Sequence, residues 1–195
     1  RDHLHKGMWT GISLSINESE GAWTARYPNA TGLGTGATPT LMGFGDGEDH
    51  LVIISDGEKV MNVTVFWRDD IPADWSGVAG EGERRIAGRA RADLGDTDLE
   101  SFQTEQSQVV AGVGVLVVNN TPRNRPWYLP HSPRLDFLVL LGLMGSNPDH
   151  QPFGAQKFEW NSDKRSFESV WVNREISSPN GVPGVSIKNG LAYFV

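Results

Sequence analysis

The sequence predicts an all-β protein, a β-propeller in which one antiparallel sheet unit is repeated. Three segments each read as two apolar strands joined by a tight Gly, Asn or Asp turn: 38–57, 105–120 and 180–195. With 23 glycines and 11 prolines among 195 residues, the chain is rich in turns. Apolar and polar residues also alternate along the predicted strands, as they do when one face of a sheet is buried.

The first full unit contains four predicted strands, A to D, at 40–44, 50–55, 61–68 and 85–91. The sequences GDGED and SDGEK supply its tight turns. Strand C shows the alternation most clearly, because Val63, Val65 and Trp67 share one predicted face. We therefore expect a four-stranded antiparallel sheet of the kind that forms one propeller blade.

The second unit repeats this order at 108–112, 115–119, 155–160 and 167–173, and the third supplies strands A and B only, within 180–195. Ahead of the first unit, 8–16 and 22–27 read as an isolated C and D pair. The blade pieces are thus about 7–31, 38–95, 104–176 and 180–195, with a loop excursion at 121–154. We interpret residues 1–195 as one propeller segment of about three blades.

Three blades do not close a ring, so we expect the remaining blades from elsewhere. They would come from a longer native chain, which we favour, from a second polypeptide, or from a second copy of this chain. Two three-bladed halves related by a two-fold axis would close a ring of six blades. A six-bladed propeller is the form that we expect.

Charge and composition exclude several classes of function. The net charge of −7 argues against nucleic-acid binding, which depends on clustered Lys and Arg. Without cysteine there is no disulfide, thiolate chemistry or cysteine-ligated zinc. The longest apolar run, 137–144, is too short to cross a bilayer, so we expect no membrane partner. The cellular compartment stays open.

In a propeller, strand A begins and strand B ends at the same face of the disc, so the adjoining loops surround the mouth of the central channel. Loops on a rigid scaffold are the usual place for binding or chemistry. This argument selects the following candidates: Thr38, Thr104, Glu105, Gln106, Asn180, Asp56, Asn62, Asn119, Asn120 and the excursion 121–154.

The segment SSPNGVPGVSIKNGLAYFV, 177–195, resembles the PNG-x₃-S-x-D/N-G-x-x-x-Y-V stretch of gluconolactonase-like propellers, the group that contains senescence marker protein and the paraoxonases. The resemblance implies a catalytic calcium with Asn180 as a ligand. It also matches Glu105 to a second ligand before an inner strand, although Ser107 stands where the family has Pro. We add Asn120, at the end of a predicted B strand, as a third metal ligand.

Such a site implies a calcium-dependent hydrolase of esters, lactones or phosphotriesters acting on a small-molecule substrate. Calcium takes six to eight oxygen ligands and polarises a bound carbonyl or phosphoryl oxygen. His131, His150 and Asp56 are the candidate catalytic residues for proton transfer.

Every candidate also has a structural interpretation. Asn180, Asn120 and Asp56 are common turn residues, and Glu105 an ordinary surface acid. The alternative function is therefore a non-catalytic propeller that binds or scaffolds other molecules. Five tryptophans in predicted C and D strands are expected to pack between blades: Trp9, Trp23, Trp67, Trp160 and Trp171. The excursion 121–154 is either a lid over the channel or a cover for a blade edge.

Overall fold

The chain is all-β in a computed structural model that describes residues 2–32, 34–122, 147–179 and 181–195. This confirms the all-β class that the sequence predicts. The described residues contain no α-helix, only two single-turn 3-10 helices at Glu18–Glu20 and Ile187–Asn189. The strands are β1 His3–Lys6, β2 Met8–Trp9, β3 Leu14–Ser15, β4 Trp23–Arg26, β5 Thr40–Met42, β6 Leu51–Ser55, β7 Asn62–Trp67, β8 Ile86–Arg91, β9 Val109–Ala111, β10 Gly114–Val118, β11 Ala155–Asn161, β12 Ser166–Asn173, β13 Gly184–Ser186 and β14 Leu191–Tyr193.

Two four-stranded antiparallel sheets form the centre of the molecule, and in each the strands pair in chain order. Sheet 1 contains β5 to β8, and sheet 2 contains β9 to β12. Both carry an irregularity at the same place, between the third and fourth strands, at Val65/Phe66 and at Lys157/Phe158. The shared bulge and the shared order show that the sequence repeat is a structural repeat.

The third predicted unit forms a two-stranded hairpin, β13 with β14, which we call the third sheet. The first strands of the three sheets are neighbours in space, since β5 contacts β9 and β9 contacts β13. At the other side of the sheets, β8 packs against β12. Successive sheets therefore follow one another with corresponding strands adjacent.

The predicted strand at 8–16 is wrong. Met8–Trp9 and Leu14–Ser15 form a small hairpin of their own, closed where the Thr10 amide donates to the Ser13 carbonyl at 3.0 Å. Gly11 lies in this turn with φ of 92°, a conformation that glycine adopts readily and that reverses the chain. The partner of β4 is instead β1, which the sequence pattern did not identify.

Tryptophans fill the interface between sheets 1 and 2. The Trp67 ring meets Trp160 and Trp75 edge to face, with centroids 5.8 Å apart in both pairs. Gly88 makes this approach possible, because a Cβ there would lie 3.0 Å from the Phe167 Cβ and 3.2 Å from the Trp160 ring. The predicted packing role is thus confirmed for Trp67 and Trp160.

The other three of the five tryptophans predicted to pack between blades differ in their burial. Trp23 packs on Phe66, with ring centroids 6.4 Å apart, and so joins β4 to sheet 1. Trp9 and Trp171 are 67% and 41% exposed. The predicted packing role is wrong for Trp9, whereas for Trp171 it stays a prediction because the sheet that it faces has only two strands in the described residues. Trp9 belongs to the short hairpin that replaces the predicted strand, and Trp171 lies on the outermost strand of sheet 2.

A surface ion-pair network ties β1 to sheet 1. The Asp69 carboxylate accepts hydrogen bonds from Lys6 Nζ and His50 Nδ1, both at 2.9 Å. Partial burial acts to raise the pKa of Asp69, but the hydrogen bonds from Lys6 and His50 and the nearby charges of Lys6 and Arg68 lower it to about 2. The carboxylate form is therefore favoured in the folded state.

We predict that Asp69 contributes stability at neutral pH and loses this contribution in acid. Because the folded pKa lies below the ordinary value of 3.8, the contribution is complete above that value and disappears as the pH falls through about 2. The measurement is the free energy of unfolding of wild type minus Asp69→Asn between pH 2 and 6, with the exposed neighbour Asp70→Asn as the control. A wild-type advantage that stays constant down to pH 2 would contradict the assignment.

Candidate functional site

The candidate site is a small cavity beside the connections that lead into the first strands of sheets 1 and 2. It encloses about 20 Å³ and lies between the connection that leads into β5, the end of β6 and the connection that leads into β9. Oxygen-bearing side chains dominate its lining, which includes Thr35, Ser55, Asp56, Gln103, Thr104 and Glu105. The structure therefore brings two predicted site residues, Asp56 and Glu105, to one place.

Glu105 approaches the cavity through a gap that only glycine leaves open. A Cβ on Gly36 would lie 1.5 Å from Glu105 Oε2, so any larger residue at position 36 would displace the carboxylate. Glu105 is exposed, and within the described part of the chain its carboxylate has no hydrogen bond or ion pair. Its oxygens are thus available to a ligand.

Asn120 joins the connection that leads into β9 to the connection that leads into β13. Its side chain is buried; Oδ1 accepts a 2.5 Å hydrogen bond from the Thr104 hydroxyl, and Nδ2 donates to the Pro179 carbonyl at 2.7 Å. Thr104 directly precedes Glu105, and Pro179 directly precedes Asn180. Asn180 itself lies outside the described residues, so its predicted role as a ligand stays a prediction.

Asp56 is held in a dense set of donors. Its side chain is 0% exposed, and Oδ1 accepts hydrogen bonds from the amides of Glu58 and Asn62 at 3.2 and 2.8 Å. Oδ2 accepts from Asn62 Nδ2 at 2.8 Å and from Arg89 Nη2 at 3.1 Å. Both oxygens are therefore engaged by the protein, and the predicted proton-transfer role would require these bonds to open.

At Asp56 and at Arg89, burial and the neighbouring groups shift the pKa in opposite directions. Burial raises the pKa of Asp56. The hydrogen bonds from Asn62 and the charge of Arg89 act to lower it, but burial has the larger effect. Burial lowers the pKa of Arg89, but its hydrogen bond to Glu81 and the charge of Asp56 outweigh this and raise it. We conclude that the guanidinium stays charged and links two carboxylates, with Glu81 Oε1 at 2.7 Å.

The structure does not bring His150 to the cavity. His150 is half-buried in a turn, where its amide donates to the Asn147 carbonyl at 2.9 Å, and it is not among the residues that line the cavity. His131 lies outside the described residues. Asn119, a further candidate, caps its own turn, because its Oδ1 accepts a hydrogen bond from the Thr121 amide at 2.8 Å.

Sequence reasoning missed two features beside the site. Gly36 belongs to a glycine-rich segment, 32–37, and the Glu105 carboxylate lies against it. Nothing in the neighbouring sequence indicates this contact, because Glu105 is 69 positions later in the chain. Gln108, just before β9, is 2% exposed, and its amide oxygen and nitrogen both lack a hydrogen-bond partner. A buried amide in this state is a place where a water molecule or ligand is commonly bound.

The donors present suit a hard cation only in part. Glu105 offers a carboxylate of the kind that calcium prefers, and the cavity has room for about one ion or water. Asn120 is not among the residues that line the cavity, and its amide oxygen accepts the hydrogen bond from Thr104. No group of three or more His, Cys, Asp or Glu residues in the described ranges is arranged to hold a metal. Further ligands would have to include Asn180, hydroxyl or backbone oxygens.

Comparison with known proteins finds a relative, but that relative has no described activity. An uncharacterized protein of Archaeoglobus fulgidus is 36% identical over 198 residues, which is 98% of this chain but 36% of the relative. The chain thus spans about a third of that protein's length. No family model matches the chain, and no solved structure matches it. In the described ranges no helix has the length and apolar character needed to span a membrane.

Proposed function

We propose that the chain is part of a six-bladed β-propeller that binds calcium at the inner ends of its sheets and hydrolyses esters, lactones or phosphotriesters. Two four-stranded sheets and a third partial sheet, with corresponding strands adjacent, support the propeller architecture. The resemblance of residues 177–195 to gluconolactonase-like propellers supports the reaction class.

One observation carries the proposal: Asn120 links the residue before Glu105 to the residue before Asn180. Through its bonds to Thr104 and Pro179, it joins the connection that leads into β9 to the connection that leads into β13, and the two predicted ligands belong to these two chain segments. Ligands from several chain segments that meet at one point are what a calcium site requires.

The residues have separate tasks in this proposal. Glu105 and Asn180 would bind the ion, and Asn120 would position both connections while offering a further oxygen lone pair. Calcium would supply polarisation of a substrate oxygen. Asp56 would hold the Asn62 turn and Arg89 rigid beside the cavity, and a proton would be transferred by His131 or His150, or by Asp56 if its bonds open.

We predict that calcium stabilises the protein and that Glu105→Gln abolishes the effect. A ligand that binds only the folded state adds about 2.7 kcal/mol at a hundred times its Kd, which raises the Tm of a chain of this size by roughly 5–10 °C. The measurement is the Tm with calcium and with a chelator. Glu100→Gln, also an exposed glutamate, is the matched control and keeps the full shift.

The variant Gly36→Ala tests whether the position of the Glu105 carboxylate matters, because it moves the carboxylate without removing it. The added methyl occupies the space of Glu105 Oε2, so calcium binding weakens while the glutamate remains. Hydrolysis of ester, lactone and phosphotriester substrates is then followed for each variant with calcium and with chelator. Wild-type protein whose Tm and hydrolysis ignore both additions would overturn the calcium proposal.

The second candidate function is a non-catalytic propeller that binds or scaffolds other molecules. It is favoured by Asp56 and Asn120, whose polar atoms are already engaged in holding the fold. The same experiment distinguishes the two candidates, because a scaffold of this kind needs neither calcium nor a hydrolytic activity.

A further inference from the structure

The face of sheet 2 turned away from sheet 1 is mostly apolar, apart from the Lys157–Glu159 ion pair on β11, and it is only partly covered. Alternate residues of β10 point to opposite faces: Val115 and Val117 pack against sheet 1, whereas Leu116 and Val118 face the β13–β14 hairpin. A groove of about 630 Å³ runs along this second face, between the four strands of sheet 2 and the hairpin. We call it the open groove.

The outer half of the open groove has no cover in the described part of the chain. Val170 and Trp171 of β12 line it and are 50% and 41% exposed. On the other side of the same sheet, the corresponding region is closed, because β8 packs against β12 and Gly88 lies under Phe167. The difference arises because sheet 1 has four strands and the third sheet has two.

The edge of the third sheet is open as well. In the described ranges β14 pairs only with β13, and Leu191 and Tyr193 are 48% and 58% exposed. An exposed apolar strand edge is a template for a further strand. A strand added here would extend the third sheet over the part of the open groove formed by β11 and β12.

We propose that the open groove is the docking surface for two further strands of the same polypeptide, the first paired antiparallel with β14 and the second with the first, which complete a four-stranded third sheet. Their inward residues are apolar and pack on Val170 and Trp171. Sheets 1 and 2 support an occupant of two strands, because each of them has four antiparallel strands and the third sheet has two. Its source is supported by the Archaeoglobus relative, in which the matched region is only 36% of the chain. The proposal shares the propeller architecture with the proposed function but does not depend on calcium.

The test uses the full-length product of the gene that encodes this chain, labelled with 5-fluorotryptophan and kept in chelator. Its ¹⁹F resonances for Trp171 and Trp9 are assigned with Trp171→Phe and Trp9→Phe. We expect the Trp171 signal to lose its solvent-induced isotope shift and its quenching by a soluble paramagnetic agent, whereas Trp9, 67% exposed, keeps both. A Trp171 signal as accessible as that of Trp9 would overturn the proposal.

A pair of valine variants gives a second readout. Val170→Lys places a charge in the covered groove and lowers the Tm of the full-length protein, whereas Val113→Lys, at a similarly exposed valine outside the groove, leaves it nearly unchanged. Equal Tm values for the two variants would argue against a covered groove. Protection of Trp171 that vanishes on dilution as the mass halves would identify a second copy as the occupant and overturn the proposal.

Discussion

Replacement of Trp67 by alanine is expected to lower the free energy of unfolding by about 3–5 kcal/mol, the usual cost of removing a fully buried large aromatic side chain. Trp67 is 2% exposed and contacts Trp160 of sheet 2 and Trp75 of the loop before β8. Its loss leaves a cavity where the two sheets meet. The measurement is urea unfolding followed by far-ultraviolet circular dichroism, which does not depend on tryptophan fluorescence.

Trp9→Ala is the matched control for this prediction. Trp9 is the same residue type but 67% exposed, so we expect its replacement to change stability by no more than about 0.5 kcal/mol. Equal losses in the free energy of unfolding for the two variants would show that burial of Trp67 between sheets 1 and 2 does not stabilise the protein as expected.

The Asp56→Asn variant is expected to lose about 3 kcal/mol of stability, the lower end of the range for breaking a buried ion pair. The new amide keeps the size of the side chain but places an NH₂ group among donors from Asn62 and Arg89. The cost stays at the lower end because Arg89 is 22% exposed and still pairs with Glu81. Chemical unfolding at pH 7 measures it.

The control for Asp56→Asn is Asp46→Asn, in an exposed turn, with an expected change within about 0.5 kcal/mol. The double variant Asp56→Asn/Arg89→Met removes the cation as well as the carboxylate. We expect it to be less destabilised than the sum of the two single variants. Strict additivity would contradict a direct interaction between Asp56 and Arg89.

The strands of both complete sheets could be predicted from the sequence because their signals are local. Alternation in Asn62–Trp67 and the Asp-Gly turn before it specify a strand and its start without reference to the rest of the chain, although this strand is buried on both faces and not on one. The same reasoning failed at 8–16, where Gly11 reverses the chain inside an apparently alternating run. A single glycine in an exposed segment does not distinguish a turn from a strand residue.

The meeting of Asp56 and Glu105 at one cavity could be predicted from the sequence, but their contacts could not. The topology of a repeated sheet places the residues before one strand and after the next on the same side, which is why Asp56 and Glu105 both reach the cavity. The Gly36–Glu105 approach and the Asp56–Arg89 ion pair join residues 69 and 33 positions apart. Such contacts depend on the packing of whole sheets, and neither residue type nor spacing indicates them.

The central claim is that the inner ends of successive sheets form one calcium site beside Glu105. It is tested most directly by an anomalous-difference map of crystals in which terbium replaces calcium. We predict one strong peak with a Glu105 oxygen at about 2.3–2.6 Å and with Asn180 on the same ion. A map that has no peak there, with the Glu105 carboxylate still lying against Gly36, would contradict the claim.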